Sequence, residues 1–241
     1  MRAPLRAAYA LYVGVVFALM ATTALLAMLV LPGLERRRRI ARAAARAFLR
    51  AAGMPLSVRG MQELPEGQCV VVANHASYLD GLVMTAALPP RFGFVIKREM
   101  ARVPLAGSLL RRIGAEFVER FNRHKGATDA RRVLRNVSNG HSLVFFPEGT
   151  FSPRPGLLKF HEGAFITAAR AGCPVVPAVV RGTRQALAPA QLLPRAVPVE
   201  VELLPPVTAS ATEPVAASVE LRERARSAIL DRLDEPDLAL G

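Results

Sequence analysis

The sequence predicts an α/β fold: one domain with a mixed, largely parallel sheet flanked by helices, preceded by an N-terminal hydrophobic membrane-anchoring helix or two-helix element. Short valine-rich runs alternate with helical segments after residue 52, as in a parallel sheet. The chain has 241 residues, of which 51% are hydrophobic, so it fits one medium domain with a sizeable core. An uncharged apolar run precedes that domain.

The N-terminal segment has the composition of a membrane anchor. Residues 7–34 carry no charged side chain and are long enough to cross a bilayer, which takes about 20 apolar residues. A Pro-Gly pair breaks the run, and seven arginines follow within residues 36–50, which places the next domain on the cytoplasmic face. Three interpretations remain: a membrane span, two interfacial helices over 8–31 and 36–52 with arginines facing lipid headgroups, and a disfavoured cleaved signal peptide.

Strands and helices alternate in the predicted structure of the remaining chain. We expect an α/β domain over 53–215, between the anchor with its basic helix at 1–52 and a C-terminal helix and tail at 216–241. The predicted strands cover 69–75, 91–97, 115–120, 142–149, 174–182 and 197–207. The predicted helices cover 104–113, 126–138, 161–172 and 216–233, and one more begins near residue 80.

The net charge of +13 lies in blocks. Residues 91–135 hold twelve basic against four acidic side chains, whereas residues 200–241 hold four against nine. A basic block suits nucleic acid, anionic lipid or an anionic small molecule. Tryptophan is absent and aromatic residues make up 6%, so stacking platforms are scarce and we expect no nucleic-acid partner. Two cysteines exclude a disulfide scaffold and a cysteine-based zinc cluster.

The first candidate for chemistry is the pair His75 and Asp80, directly after a predicted buried strand. Carboxyl ends of strands are where ligands bind in this architecture. The two side chains can meet only if His75 lies in the strand-to-helix turn and Asp80 in the first helical turn, because on one helix they would stand about 140° apart. A catalytic dyad and a plain capping box with Ser77 both fit this spacing.

The second candidate is Glu148, which follows an apolar strand and precedes Gly149. A glutamate there needs a partner or solvent, and the glycine lets a ligand approach the backbone. A plain tight turn is the alternative.

Four blocks in this order resemble those of the 1-acylglycerol-3-phosphate acyltransferase family, the glycerolipid acyltransferases. The resemblance covers roughly residues 53–185, and the N-terminal anchor is also like the family's. The blocks are Asn74-His75-x4-Asp80, Gly114-Ala115-Glu116-Phe117-Val118-Glu119-Arg120, Phe146-Pro147-Glu148-Gly149-Thr150 and Val175-Val176-Pro177.

The resemblance implies a role for each matching residue. His75 is the general base, Asp80 orients it, and Arg120 holds the acceptor's phosphate. The segment Glu148-Gly149-Thr150 positions the acceptor, and Val175-Val176-Pro177 lines the acyl side. The reaction needs no metal and no cofactor, with acyl-CoA or acyl carrier protein as co-substrate.

One position departs from the family pattern, because Phe151 stands where an arginine usually follows the threonine. The lost cation loosens the demand for a phosphate-bearing acceptor, so a lyso-ornithine lipid or another lysophospholipid stays open. Lys97, Arg98 and Arg154 are candidates to supply the missing charge.

The sequence therefore predicts an acyltransferase at the cytoplasmic membrane surface. Its substrates are a lysolipid, most simply 1-acylglycerol 3-phosphate, and an acyl-CoA or acyl carrier protein. Two other functions stay open: a membrane-anchored module that binds nucleic acid or anionic lipid, and a transacylase that takes its acyl group from a phospholipid.

Overall fold

The computed structural model describes residues 3–119, 123–189, 191 and 193–239. In these ranges, a seven-stranded sheet lies between two layers of helices. The strands are β1 (Leu56–Arg59), β2 (Val70–Ala73), β3 (Phe92–Lys97), β4 (Glu116–Val118), β5 (Ser142–Phe145), β6 (Val175–Arg181) and β7 (Val199–Leu203). The helices are α1 (Ala3–Val30), α2 (Leu34–Ala51), α3 (Asp80–Ala87), α4 (Ala106–Arg112), α5 (Arg123–Ser138), α6 (Gly163–Ala171), α7 (Thr183–Ala186) and α8 (Pro214–Leu230).

The predicted mixed, largely parallel sheet is confirmed. The strand order is β1-β7-β6-β2-β5-β3-β4, and the pairs from β6 to β4 are all parallel. Among the described strands, only the β6–β7 pair is antiparallel, so β7 and its parallel neighbour β1 run against the rest. The carboxyl ends of β2, β3, β5 and β6 therefore meet at one edge of the sheet, which we call the site edge.

Burial on both faces explains why the central strands are runs of valine. In β2, Val71 and Ala73 pack into the layer of α1, α2 and α3, while Val70 and Val72 pack into the layer of α5, α6 and α8. All four residues have no exposed surface. Such strands lose the alternation of a half-exposed sheet. By contrast, β7 alternates between buried and half-buried positions.

Two described elements, β1 and α7, were not predicted, and each has four residues. Unlike the equally short β2 and β5, which are fully buried, largely apolar runs, β1 has only half-buried and exposed positions. In α7, four residues are too few for a helical period to stand out from a loop.

The N-terminal helix lies along the domain. α1 is long and apolar enough to cross a membrane, but both of its ends contact the rest of the chain. Near its start, the Tyr9 hydroxyl donates to the Ala52 carbonyl at 2.6 Å. Near its end, Met28 is fully buried and packs in one cluster with Ile113. The opposite face of α1 exposes large apolar side chains, among them Leu11, Leu19 and Leu26.

Three arginines of α2 donate hydrogen bonds to backbone carbonyls of the domain, contacts that the interfacial interpretation of this helix did not predict. Arg38 donates to the carbonyls of Ile113 at 2.9 Å and Arg91 at 3.0 Å. Arg42 and Arg46 donate to the last carbonyls of α3, at 3.3 and 2.7 Å. Cations at a helix carboxyl end satisfy its orphan carbonyls and favour its dipole. These side chains therefore fasten α2 to the domain.

Candidate active site

The turn between β2 and α3 carries the first candidate pair. Asn74 anchors its start, because its amide nitrogen donates to the Val180 carbonyl at 3.0 Å and its oxygen accepts from the Val180 N–H at 2.7 Å. His75 follows at the site edge, with its side chain 20% exposed. Asp80 is the first residue of α3 and is fully buried. This placement confirms the predicted strand-to-helix turn.

His75 and Asp80 form a direct contact. The imidazole Nδ1 lies 2.8 Å from Asp80 Oδ2. That oxygen also accepts the backbone N–H groups of Ala76 at 2.6 Å and Ser77 at 2.8 Å. The Asp80 carboxylate oxygen acts as the acceptor for all three groups. We therefore assign the imidazole hydrogen to Nδ1, which leaves the lone pair on Nε2. An imidazole held in this tautomer can accept a proton at Nε2.

Only one of the two hydrogen bonds of a capping box is present in this turn. Asp80 reaches back to the Ser77 N–H, as in a capping box. The Ser77 hydroxyl, however, accepts from the Leu79 N–H at 3.1 Å and donates to the Leu187 carbonyl at 2.7 Å. It ties the turn to the segment after α7. The Asp80 carboxylate thus serves both the helix start and the imidazole.

Glu148 joins the same site through the backbone of His75. Its Oε1 accepts the His75 N–H at 2.6 Å, and its Oε2 accepts the Leu158 N–H at 2.9 Å. The residue is 3% exposed. Burial raises the pKa of Glu148 to about 7, since desolvation outweighs the two N–H donors that favour the ionised form.

Aromatic rings enclose the imidazole. Phe146 stacks on it with ring centroids 4.5 Å apart, and Phe151 meets it edge to face at 4.6 Å. Tyr78 packs against Phe151 at 4.8 Å and is 65% exposed. The position that departs from the family pattern therefore contacts the candidate base directly.

Gly149 and Thr150 form the turn that follows Glu148. The Gly149 N–H donates to the Phe146 carbonyl at 3.0 Å, and Gly149 has a φ of 74°. This left-handed conformation favours glycine. Thr150 is exposed next to it.

Of the predicted cations, Lys97, Arg98 and Arg154 lie in the described residues. Lys97 ends β3 at the site edge and is exposed, and Arg154 is exposed in the loop after β5. Arg98 is held by Asp129, whose carboxylate lies 2.7 Å away, so its charge is already compensated. Arg120 lies outside the described residues. Val175 and Val176, interpreted as lining the acyl side, are fully buried in the sheet core.

Sequence reasoning missed Arg184 at the site. Its guanidinium donates to the Ser152 carbonyl at 2.6 Å and pairs with Glu235 at 3.0 Å. It also lies close enough to Glu148 to lower that residue's pKa. No motif marks Arg184, because its partner comes from the other end of the chain.

Comparisons with known proteins identify the family. The sequence profile of the Acyltransferase family matches residues 55–181, more than half of the chain. A chloroplastic 1-acyl-sn-glycerol-3-phosphate acyltransferase of Brassica napus is 34% identical over 128 residues, 52% of this chain and 37% of that protein. The 1-acyl-sn-glycerol-3-phosphate acyltransferase of Saccharomyces cerevisiae is 31% identical over 140 residues, 57% and 46% of the two chains.

A further relative has another acceptor in its name. Lysophosphatidylcholine acyltransferase 1 of Rattus norvegicus is 34% identical over 130 residues, 52% of this chain and 23% of that protein. The matches thus span less than half the length of these three curated relatives.

The fold has a solved counterpart. The crystal structure of the 1-acyl-sn-glycerophosphate acyltransferase PlsC from Thermotoga maritima aligns over 97% of both chains, with a TM-score of 0.79 and 21% identity. The fold is therefore shared over nearly the whole length. The family match covers β1 to β6 and includes His75, Asp80 and Glu148, so the chain belongs to the Acyltransferase family.

Proposed function

We propose that this protein transfers an acyl group from a thioester to the free hydroxyl of a lysolipid, with 1-acylglycerol 3-phosphate as the favoured acceptor. The observation that carries the proposal is the contact of 2.8 Å between His75 Nδ1 and the buried Asp80 carboxylate, at a partly exposed sheet edge. Family membership and the names of the relatives support the same reaction class and acceptor.

The reaction follows from the tautomer of His75. Nε2 takes the proton from the acceptor hydroxyl as its oxygen attacks the thioester carbonyl. The tetrahedral intermediate collapses to the ester, the carbon–sulfur bond breaks, and the thiol leaves with the proton that the imidazolium returns. Asp80 holds the ring and stabilises its charged form. No covalent enzyme intermediate is needed.

The acceptor side uses the residues around Glu148. We assign the backbone of Gly149 and Thr150, together with Glu148, to positioning the glycerol part of the acceptor. Arg120 and Lys97 are assigned to the phosphate: Lys97 ends β3 at the site edge, and Arg120 is the cation of the second block that resembles the family. Because Phe151 contacts His75 in place of a cation, lysophosphatidylcholine and lyso-ornithine lipid are the alternative acceptors.

A cavity of about 530 Å³ supports a lipid substrate. It lies between the start of α1 and the segment before β7, and Leu193, Val197 and two arginines, Arg6 and Arg195, line it. The register of β7 against β6 puts this segment at the site edge, because Glu200 is paired with Arg181. Apolar walls with cations suit an amphipathic anion.

The exposed apolar face of α1 supports a position on the membrane. We propose that α1 lies in one leaflet rather than crossing the bilayer alone, since contacts near both of its ends hold it against the domain. The site edge then faces the lipid headgroups on the cytoplasmic side, as the arginine bias predicts. Acyl carrier and lysolipid meet there.

The test is acyl transfer by purified protein in detergent or vesicles, with labelled acyl-CoA and acyl carrier protein against a panel of lysolipids. We expect His75→Ala to lower kcat by about 10³-fold or more, because it removes the base. The matched control is His141→Ala, which removes an exposed histidine at the start of β5.

The outcomes separate the alternatives. Substantial turnover by His75→Ala would reject the base assignment. Transfer without release of thiol from acyl-CoA, using a phospholipid as donor, would identify a transacylase. Absence of any transfer by the wild-type protein, with steeply salt-dependent binding to DNA or anionic lipid, would favour a binding module.

A further inference from the structure

A short C-terminal segment lies along the loop that follows the candidate glutamate. We call residues 235–238 the strap and residues 149–158 the site loop. Leu157 is bonded to the strap in both directions: its N–H donates to the Pro236 carbonyl at 2.9 Å, and its carbonyl accepts the Leu238 N–H at 3.0 Å. The end of the described chain is thus paired with the loop like a short strand.

One half-buried ion pair adds further points of attachment. The Arg184 guanidinium contacts both carboxylate oxygens of Glu235, at 3.0 Å each. Arg184 also donates to the Ser152 carbonyl at 2.6 Å, and Glu235 accepts the Gly156 N–H at 2.7 Å. The two side chains are 11% and 17% exposed. Bidentate pairs of this kind combine strength with directional specificity.

The strap packs so closely that a side chain would not fit beneath it. A Cβ at Gly156 would lie 2.3 Å from Leu238 Cγ and 2.8 Å from the Pro236 oxygen. Gly156 also has a φ of 140°, which other residues rarely adopt.

The inner side of the site loop reaches the candidate base. The Leu158 N–H donates to Glu148, and Glu148 in turn accepts the N–H of His75. Phe151 presses its ring against the imidazole at 4.6 Å. The loop therefore lies between the strap on the outside and His75 on the inside.

Building on the acyl transfer proposed above, we propose that the strap fixes the site loop in its active position, with Arg184 and Glu235 as positioning residues. Neither residue touches the imidazole. Both act through the loop that carries Phe151 and supports Glu148. A displacement of about 1 Å in such a support costs up to about 100-fold in rate.

The experiment compares Arg184→Gln, Glu235→Gln and their double variant with the wild-type protein. We expect kcat to fall by about 10–100-fold in each single variant, with acceptor KM changed by less than about 3-fold. The double variant should fall little further, because both changes remove one interaction. The control is Arg222→Gln, which breaks a pair between α8 and the 65% exposed Glu162.

The pH profile distinguishes positioning from general loosening. In the described chain, the charged or titratable groups beside Glu148 are His75, Asp80 and Arg184. We take ionised Glu148 as the active form, since its carboxylate accepts the N–H groups of His75 and Leu158. Arg184 lowers the pKa of Glu148, so the acid limb of the kcat profile should move to higher pH in Arg184→Gln. In Glu235→Gln, the Arg184 guanidinium loses its carboxylate partner and should lower the pKa of Glu148 further. The acid limb should therefore move to lower pH. A general loosening of the fold would not move the acid limb in opposite directions in the two variants.

Hydrogen exchange tests the strap contact independently of the proposed acyl transfer. Exchange in residues 149–158 should accelerate in Glu235→Gln and not in Arg222→Gln, whatever the reaction. Unchanged exchange, or kcat within about 2-fold of an active wild-type protein, would overturn the strap proposal. A second outcome is a wild-type protein that turns over no lysolipid, although exchange in residues 149–158 accelerates in Glu235→Gln. That outcome would overturn both the acyl transfer and the positioning role, and would leave only the contact between strap and site loop.

Discussion

Glu148 is subject to two opposing effects. Two backbone N–H groups point at its carboxylate and favour the charged form, while nearly complete burial favours the neutral form. Burial is the larger effect, and it raises the pKa to about 7. The spacing of the motif predicted that His75 and Asp80 could meet across a strand-to-helix turn, although a plain capping box with Ser77 fitted the same spacing. It could not predict the burial of Glu148, which depends on the site loop and on residues far along the chain.

This shift makes stability depend on pH. A folded pKa of about 7, above the ordinary 4.5, means that the folded state holds the proton more tightly than the unfolded state. The resulting stabilisation is present below pH 4.5 and is lost as the pH rises through 7. Between pH 5 and 8, the wild-type protein should therefore lose up to about 3 kcal/mol relative to Glu148→Gln.

Urea unfolding of both proteins at pH 5, 6, 7 and 8 checks this expectation. The Gln side chain lacks one acceptor oxygen, which lowers stability equally at every pH, so the slopes must be compared and not the levels. Two parallel curves would mean that Glu148 ionises as an ordinary glutamate.

The packing of α2 on α3 shows what periodicity can and cannot predict for an element. Arginines and alanines segregate on two faces of α2, and that pattern correctly predicts an amphipathic helix. Lipid headgroups and the carboxyl end of a neighbouring helix are equivalent partners for such arginines. Only the tertiary arrangement brings the carbonyls of Ala86 and Ala87 to Arg46 and Arg42. The buried strands were easier to predict, because burial on both faces leaves an uninterrupted apolar run.

Arg46→Gln should lower the free energy of unfolding by about 1–2 kcal/mol. The change removes a charge-assisted hydrogen bond of 2.7 Å to the end of α3. Arg39→Gln on the same helix is the control: its pair with Glu35 is exposed, and we expect less than about 0.5 kcal/mol. Urea unfolding of both variants and the wild-type protein measures these losses. Equal losses of unfolding free energy in both variants would contradict a structural role for Arg46.

At the scale of the whole molecule, α1 decides how the domain meets a membrane. Its composition predicts an apolar helix, but it gives no indication of which face packs against protein. The structure shows that Val13, Ala21, Ala24 and Met28 are buried, and that the large exposed side chains lie elsewhere on the helix. A soluble environment would leave that face in water, whereas the acyl chains of one leaflet would cover it.

Leu19→Glu should weaken binding to lipid vesicles by at least about 100-fold. Leu19 is 63% exposed on the apolar face of α1, and replacing its contact with acyl chains by a carboxylate costs about 3 kcal/mol. Val215→Glu supplies the same charge at a 62% exposed apolar position on α8, away from α1, and should leave binding unchanged. Flotation of the full chain with vesicles of phosphatidylcholine and phosphatidylglycerol measures both. Because neither side chain is buried, both variants should unfold at the wild-type urea midpoint, so a loss of flotation reports on membrane contact. Equal flotation of Leu19→Glu and the wild-type protein would place the membrane-binding surface away from this face of α1.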